Sequence, residues 1–488
     1  MSICSSNVTS GFIDLATFDE IEKYLYGGCE ATAYFVRETR KSTWFTQVPV
    51  QLTKSSGSTT NMFGGEPSFT ISRAGDYLLQ TWLRAELAPV QLKTKTLKLN
   101  GVKEPAELGI RWTRNFMHNL VADCCITFND LVAAKFNNTH LDFWTAFTVP
   151  ASKQHGYNNM IGNVNALINP VRQGEILGGP SNDGSHKGTN VTLNLPLPFF
   201  FSRDSGVALP TAALPYNEMK IQFKFRGWQE LLVMENVNAE SGKTADVDPR
   251  LHVDVNNLAA EPQLTNVNCW ANYAIVSNDE RKRMACAPRD ILMEQVQITS
   301  KMTFDPSSNP TPQYDVRFSH AIKVLFFAVR NTTWPSEWSN YTVASPLGGH
   351  DLHKFAGPYA LDPIAHTSLV YENTQRLARM GSDYFSLVNP YYHAPCIPKV
   401  TGYHMYSYSL DFICLDPMGS TNYGKLTNVS VCPGASVAAQ HASKQDAPLL
   451  RDGTNNGVNY KQTYEFVMTA VNNNIIRVSG GALGFPVL

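Results

Sequence analysis

"NLPLPFFFSRDSGVALPTAALPYNEMKIQFKF", residues 194–225, poses a question in its middle and answers it at its end. The end alternates without a fault. Met219, Ile221, Phe223 and Phe225 fall on one side and Lys220, Gln222 and Lys224 on the other, which is the period of a half-buried strand. The middle, Ser202-Arg203-Asp204-Ser205-Gly206, has the composition of a catalytic loop: hydroxyls, a carboxylate and an anion-binding guanidinium. Its flanks argue for another reading. Pro196 and Pro198 have no N–H to give to a ladder, so the segment before the loop is an edge or a corner. Asp204 and Ser205 are side chains that accept backbone N–H bonds in tight turns, and Gly206 is expected to take positive φ. Pro210 and Pro215 stiffen the return to Asn217-Glu218, where the strand begins. Arg203 is left to pair with Asp204, Glu218 or a neighbouring subunit. Every polar residue has a structural task, so the stretch reads as a corner.

The same two-residue period recurs along the chain. In "DYLLQTWLRAEL" (76–87), Tyr77, Leu79, Leu83, Ala85 and Leu87 share one face. "VADCCITF" (121–128), "TSLVYE" (367–372), "YSYSLDFI" (406–413), "LTNVSV" (426–431) and "TYEFVMTAV" (463–471) also read as strands, whereas "KVLFFAV" (323–329) is apolar on both faces, as suits a central strand. One short helix opens the chain, with a Thr17–Glu20 capping box, Phe18, Ile21 and Leu25 on one face and Gly27-Gly28 as its stop. Many strands and few helical periods predict an all-β chain of stacked antiparallel sheets. A change of unit is expected near Gly227. That gives an N-terminal arm (1–31) and two jelly-roll-sized units, 32–226 and 227–488. A faint internal echo relates the opening stretch to "YSYSLDFICLDPMGSTNYGKLTNVSV" (406–431). Long polar loops are expected at 173–190, 236–262, 303–313, 345–360 and 433–461.

Composition narrows the function. Of 488 residues, 43% are hydrophobic and 17% charged, against about 25% charged in ordinary soluble domains. So few charges imply that much of the surface is covered, most simply by other subunits. A formal net charge of -1 provides no field to attract nucleic acid. The basic runs, Arg281-Lys282-Arg283 and the lysines of "LKTKTLKLN" (92–100), are short and read as solvated turns. The first twenty residues lack the basic and apolar regions of a secretory signal, and the longest strongly apolar run, 321–329, is less than half of the ~20 residues of a membrane helix. Nine cysteines without any C-x-x-C predict reduced, mostly buried thiols. Six N-x-S/T sequons, at Asn7, Asn137, Asn190, Asn331, Asn340 and Asn428, are expected to stay unmodified.

Catalytic signatures are absent. The sequence holds no G-x-S-x-G elbow, phosphate loop or H-E-x-x-H zinc site, and "SGGALGF" (479–485) lacks the G-x-G-x-x-G order. His350 and His353 have no cysteine ligands nearby, and "DVDPRLHVD" (246–254) lacks the glycine of a calcium loop, so no metal or cofactor is expected. A carbohydrate-binding or glycan-hydrolysing β-sandwich stays open as the alternative, because paired carboxylates converge in space and not in sequence.

The opening stretch also resembles the signature of the major capsid proteins of iridoviruses, within the nucleocytoplasmic large DNA viruses. The likeness extends to "SGFIDLATFDEIEKYLYGG" (10–28), "RAGDYLL" (73–79, with Arg73, Gly75 and Asp76), "RWTRNFMHNLV" (111–121) and "VRFSHAIKVLFFAVRN" (316–331). "SLVYENTQRL" (368–377), "MGSTNYGKLTNVS" (418–430) and "NNNIIRVSGGALGFPVL" (472–488) continue it, most of all toward the invertebrate iridescent viruses. In the opening stretch it rests on Arg203, Asp204, Ser205, Gly206, Asn217 and Glu218. The resemblance implies a double jelly roll, two eight-stranded antiparallel sandwiches side by side. It further implies a non-enzymatic homotrimeric capsomer, pseudo-hexagonal in outline, tiling an icosahedral shell around an internal viral membrane. Minor capsid proteins would be partners, nucleic acid would not be touched directly, and assembly would take place in the host cytoplasm. Phe18, Ile21 and Leu25 of the arm are candidate interface residues. So are Trp334, Trp338 and Tyr341 of "NTTWPSEWSNYT" (331–342), which could equally close the second sandwich.

Overall fold

The computed structural model describes residues 3–37, 39–57, 60–93, 96–97, 106–178, 190–236, 253–343, 361–444 and 461–484. Of the expected loops, 345–360 lies outside these residues, as do His350, His353 and most of 246–254; loops 173–190, 236–262 and 433–461 lie outside them in part. The chain divides into two compact units, Met1–Trp44 and Phe45–Leu488, so the arm is longer than the expected 1–31.

The arm carries two helices, Ile3–Ala16 and Glu20–Tyr26, where one was expected. Its capping box lies two residues past the expected Thr17–Glu20 pair. Asp19 accepts from the Glu20 N–H at 2.8 Å, and Glu22 accepts from the Asp19 N–H at 3.3 Å. Thr17 instead donates its hydroxyl to the Asp14 carbonyl at 2.6 Å, closing the end of the first helix.

In the larger unit, a four-stranded antiparallel sheet runs Phe45–Gln51, Leu264–Val276, Tyr77–Leu87, Val191–Pro196. A five-stranded sheet runs Thr53–Ser56, Ser68–Thr70, Met219–Phe225, Val121–Phe128, Leu131–Asn137. Leu83 and Ala85 of the first join Ile221, Phe223 and Ile126 of the second in one apolar core. The strand Met219–Phe225 alternates buried and more exposed as its sequence requires. Because Leu264–Val276 is hydrogen-bonded between Phe45–Gln51 and Tyr77–Leu87, the boundary expected near Gly227 falls inside the first sandwich. The turn at 227 looked like an end only because the returning strand lies so far along the chain.

The second half repeats the plan. One sheet runs Arg289–Ile298, Tyr464–Ser479, Ala321–Asn331, His404–Ser407, with three short strands attached, and the other runs Tyr314–Asp315, Val429–Ala435, Ile364–Tyr371, Thr374–Gly381. Leu325, Phe327 and Val329 enter the core between these sheets, while Val324, Phe326 and Ala328 enter a second core on the opposite side. The strand is thus buried on both faces, as its uninterrupted apolar sequence predicts. The expected strand 406–413 stops at Ser407, because Ser407, Ser409 and Asp411 bond the local backbone instead of a ladder. Part of the expected loop 433–461 is ordered as the strand Val429–Ala435 and the helix Val437–Ala442.

The chain is mostly β but not all-β. The helices Asn138–Thr148 and Ala151–Ile161 follow the strand Leu131–Asn137, the first capped by Asn137, whose side chain accepts from the His140 N–H at 3.0 Å.

Candidate functional site

The corner 194–225 has the Asp204 turn that the sequence predicts, while Ser205, Gly206 and Arg203 depart from their expected roles. Asp204 accepts from the Gly206 N–H at 3.3 Å and from the Ser205 hydroxyl at 3.4 Å, an Asx turn, and all three residues are exposed. Gly206 does not take positive φ. It lies in the 3-10 turn Ser205–Val207, and a Cβ there would meet only Asp204, at 3.6 Å. Ser202 donates to the Phe199 carbonyl at 2.6 Å. Neither Ser202 nor Ser205 is hydrogen-bonded to a histidine.

"RAGD" and the corner, far apart in sequence, form one assembly. The Leu214, Pro215 and Asn217 carbonyls lie 2.9–3.0 Å from one guanidinium nitrogen of Arg73. Thr211 donates to the Gly75 carbonyl at 2.8 Å, and Leu78 and Leu209 exchange backbone hydrogen bonds. Gly75 is required because a Cβ would come within 2.5 Å of Tyr273 Cβ. Asp76 is buried and accepts from the Val276 N–H at 2.9 Å and from Arg281 at 2.7 and 2.9 Å. Burial alone would raise its pKa, but the Arg281 hydrogen bonds and charge and the Val276 N–H outweigh it and hold the carboxyl below its ordinary value. Asn217 accepts from the Leu483 N–H at 3.2 Å, tying in the C-terminal motif, and the Glu218 N–H donates to Asn129 at 2.7 Å.

Arg203 departs from its three expected partners. It forms an ion pair with Glu294 of the second half and stacks 4.1 Å over the Trp144 ring. Glu294 also holds Lys323 at 2.5 Å, and Lys323 donates to the Cys414 carbonyl at 2.6 Å. Burial pushes Arg203 down to about 9; burial, and then the nearby Arg203 charge, push Lys323 down to about 8. A buried carboxylate between two cations thus bolts the corner of one sandwich to two strands of the other.

The segment 331–342 lies across the same junction. Trp334 is 4% and Tyr341 1% exposed, so both are spent inside the chain and have no free surface for a second copy. Tyr341 donates to Asp142 at 3.0 Å, an acceptor shared with Ser339 at 2.8 Å and His118 at 2.7 Å. Glu337 pairs with the buried Arg111, which also meets Glu235 at 3.4 Å. Trp338 is partly exposed and carries Arg226 at 3.8 Å and Arg330 at 4.2 Å from its ring centroid. In the arm, Phe18, Ile21 and Leu25 are 51%, 72% and 67% exposed.

One cluster that sequence reading misses has the residue types of a hydrolase. Ser382, His404 and Asp362 are all buried. Ser382 Oγ donates to Asp362 Oδ2 at 2.5 Å and lies 2.7 Å from His404 Nε2, while the same Nε2 lies 2.8 Å from Asp362 Oδ2. A proton relay needs the carboxylate on one ring nitrogen and the serine on the other. Here both meet Nε2, so the cluster ties a loop to the strand His404–Ser407 and prepares no nucleophile. Of the cysteines, Cys124 and Cys269 are buried, with thiol pKa values pushed up by burial, and Cys29 and Cys286 are exposed.

These features define a mostly β, two-sandwich protein whose buried charges hold the halves of one chain together. Two family models match in succession, the major capsid protein N-terminus over residues 33–276 and the large eukaryotic DNA virus major capsid protein over residues 280–484. The chain is 60% identical to the major capsid protein of Costelytra zealandica iridescent virus and 59% identical to that of invertebrate iridescent virus 6, with all of each chain covered. A PBCV-1 virus capsid structure is similar in fold, with a TM-score of 0.68 at 20% identity, covering 93% of this chain and 100% of that one. The chain belongs to the iridovirus major capsid proteins of the large eukaryotic DNA viruses. It is therefore a structural, non-enzymatic component of the virion capsid that assembles with copies of itself, and the glycan-hydrolase alternative falls.

Proposed function

We propose that the chain is a double jelly roll that self-assembles as a homotrimeric, pseudo-hexagonal capsomer, and that these capsomers tile an icosahedral shell around an internal viral membrane. The observation that carries this reading is the repeated strand order. In both halves the first strand pairs with the last, then an inner strand, then a late one. Two such halves per chain supply six lobes to a trimer. The proposed units are an arm (1–44), a first jelly roll (45–276) and a second (289–484). The exposed Phe18, Ile21 and Leu25 of the arm would meet minor capsid proteins or the inner side of the shell. A net charge of -1 suits a shell that does not touch nucleic acid directly. Sequons and thiols of this kind suit assembly in the host cytoplasm. Among the described residues no helix is long and apolar enough to cross a membrane, so any membrane contact would be peripheral on the helical side. Electron micrographs of the purified protein test the reading. Pseudo-hexagonal particles with six lobes support it, and single two-lobed particles at micromolar concentration overturn it.

A further inference from the structure

The repeat of the two halves makes one difference between them informative. In the second half, the outer side of the sheet containing Ala321–Asn331 is covered by the chain itself. Phe143, Trp144 and Phe147 press on Val324, Phe326 and Val467, with the Phe147 and Phe326 rings 5.5 Å apart. They come from the helix Asn138–Thr148, which directly follows the strand Leu131–Asn137 of the first half.

The equivalent side of the first half's sheet has no such cover among the described residues. Trp82 and Trp270 are cross-strand neighbours there, their rings 6.3 Å apart and nearly parallel, and both are partly exposed. Gln51 lies opposite Trp270 and Pro196 opposite Trp82, while the amides of Gln80 and Asn272 bond at 3.3 Å. The Trp82 face also carries Arg84 and Glu86, with Glu86 accepting from the Asn266 amide at 2.7 Å, whereas the outer side of the five-stranded sheet has no tryptophan. That outer side carries the pairs Lys224–Glu66 at 3.6 Å and Lys135–Asp123 at 3.5 Å, as a face in water does. Interface centres are instead depleted in charge and rich in tryptophan and tyrosine.

The second half also has a counterpart of the covering helix. After the strand Thr374–Gly381 come the turns Tyr384–Val388 and Asn389–His393, at the same place in the order of elements. Tyr391 and Tyr392 project from it 69% and 73% exposed, and His393 Nδ1 lies 3.1 Å from the carbonyl of Leu410, itself exposed. Asn389 fixes this helical segment to its own sheet by accepting from the Ser407 N–H at 3.2 Å. Its tyrosines are therefore held outward on a fixed base.

We infer that the Tyr391–Tyr392 segment of one copy covers the Trp82–Trp270 face of the next, repeating between chains the contact that Asn138–Thr148 makes within the chain. This rests on the capsomer reading above and names the surfaces that build it. A contact between two different patches is heterologous, and it closes into a ring when its rotation permits. Three chains then present six halves, and covered junctions alternate within and between chains around the ring.

Native mass measurements on the full-length chain test this with Tyr391→Ser/Tyr392→Ser, whose side chains are exposed, and with Trp82→Gln. Lys224→Ser, on the charged outer face, is the control. The trimer's dissociation constant should rise roughly 30-fold or more for the first two, the size expected of an interface hot spot, and stay unchanged for the control. Near-ultraviolet circular dichroism checks that each variant is folded. Should Trp82→Gln fail to fold, Gln80→Cys/Tyr392→Cys replaces it, with disulfide-linked chains expected under oxidation beyond any seen in the unmodified protein. A wild-type trimer that persists in Tyr391→Ser/Tyr392→Ser overturns the inference and leaves the capsomer reading standing. A wild-type chain that is monomeric overturns both.

Discussion

Arg203, at the corner of the first sandwich, is ion-paired with Glu294 of the second, and Glu294 in turn holds Lys323 at 2.5 Å. Removing one partner from such a buried set leaves a charge without compensation, whereas the intact set adds little to stability by itself. Arg203→Met should therefore destabilise the chain by about 3 kcal/mol in denaturant unfolding. Arg203→Lys should recover only part of this, because an ammonium loses the planar stack over Trp144.

Asp204 predicts a smaller effect. Its carboxylate caps one exposed turn, so Asp204→Ala should cost about 1 kcal/mol, read as a lowered unfolding midpoint, with capsomer formation retained. A hydrolytic activity lost in Ser205→Ala while the assembly stays intact would contradict the corner reading.

Asp76 predicts a pH dependence. Its folded pKa lies below the ordinary value of 3.8, so the folded state binds this proton less readily than the unfolded state. The resulting stability is fully present above the unfolded pKa of about 4 and is lost as pH falls through the folded value. Wild type should exceed Asp76→Asn by about 2 kcal/mol at pH 7, a difference that shrinks below pH 4. Urea titrations at several pH values check this, and a difference that persists undiminished at pH 2 contradicts it.

How much of this was legible in the sequence depends on range. The strand Met219–Phe225 and the Asx turn at Asp204 follow from neighbours along the chain, and both are as expected apart from the φ of Gly206. The doubly buried strand at 321–331 was legible because its middle, 324–329, is apolar at every position and so on both faces. The partner of Arg203 was not, since nothing local distinguishes Glu294 from Asp204 or Glu218. The helix Asn138–Thr148 had a signal that strand counting passed over. Asn137 is a cap residue, and His140, Phe143, Trp144 and Phe147 recur at helical spacing. For Trp334 and Tyr341 the sequence left interface anchor and sandwich closure equally open, because a loop sequence does not show what the rest of the chain lays over it.

The arm supplies a further prediction. Its apolar side chains Phe18, Ile21 and Leu25 are exposed, and Met1–Trp44 forms a compact unit of its own. Deleting residues 1–28 should leave the unfolding midpoint of the sandwiches unchanged while impairing shell assembly. Full-size shells with normal contacts from the truncated chain would remove any assembly role for the arm.

The central claim, that this chain is built to hold copies of itself through largely apolar contacts, is tested most directly by its native mass in about 1 M salt. There the screening length falls to about 3 Å, which weakens exposed charge pairs and spares apolar burial. The account predicts three times 54.1 kDa, about 162 kDa, unchanged from low salt. Folded monomers of 54.1 kDa at micromolar concentration would contradict it.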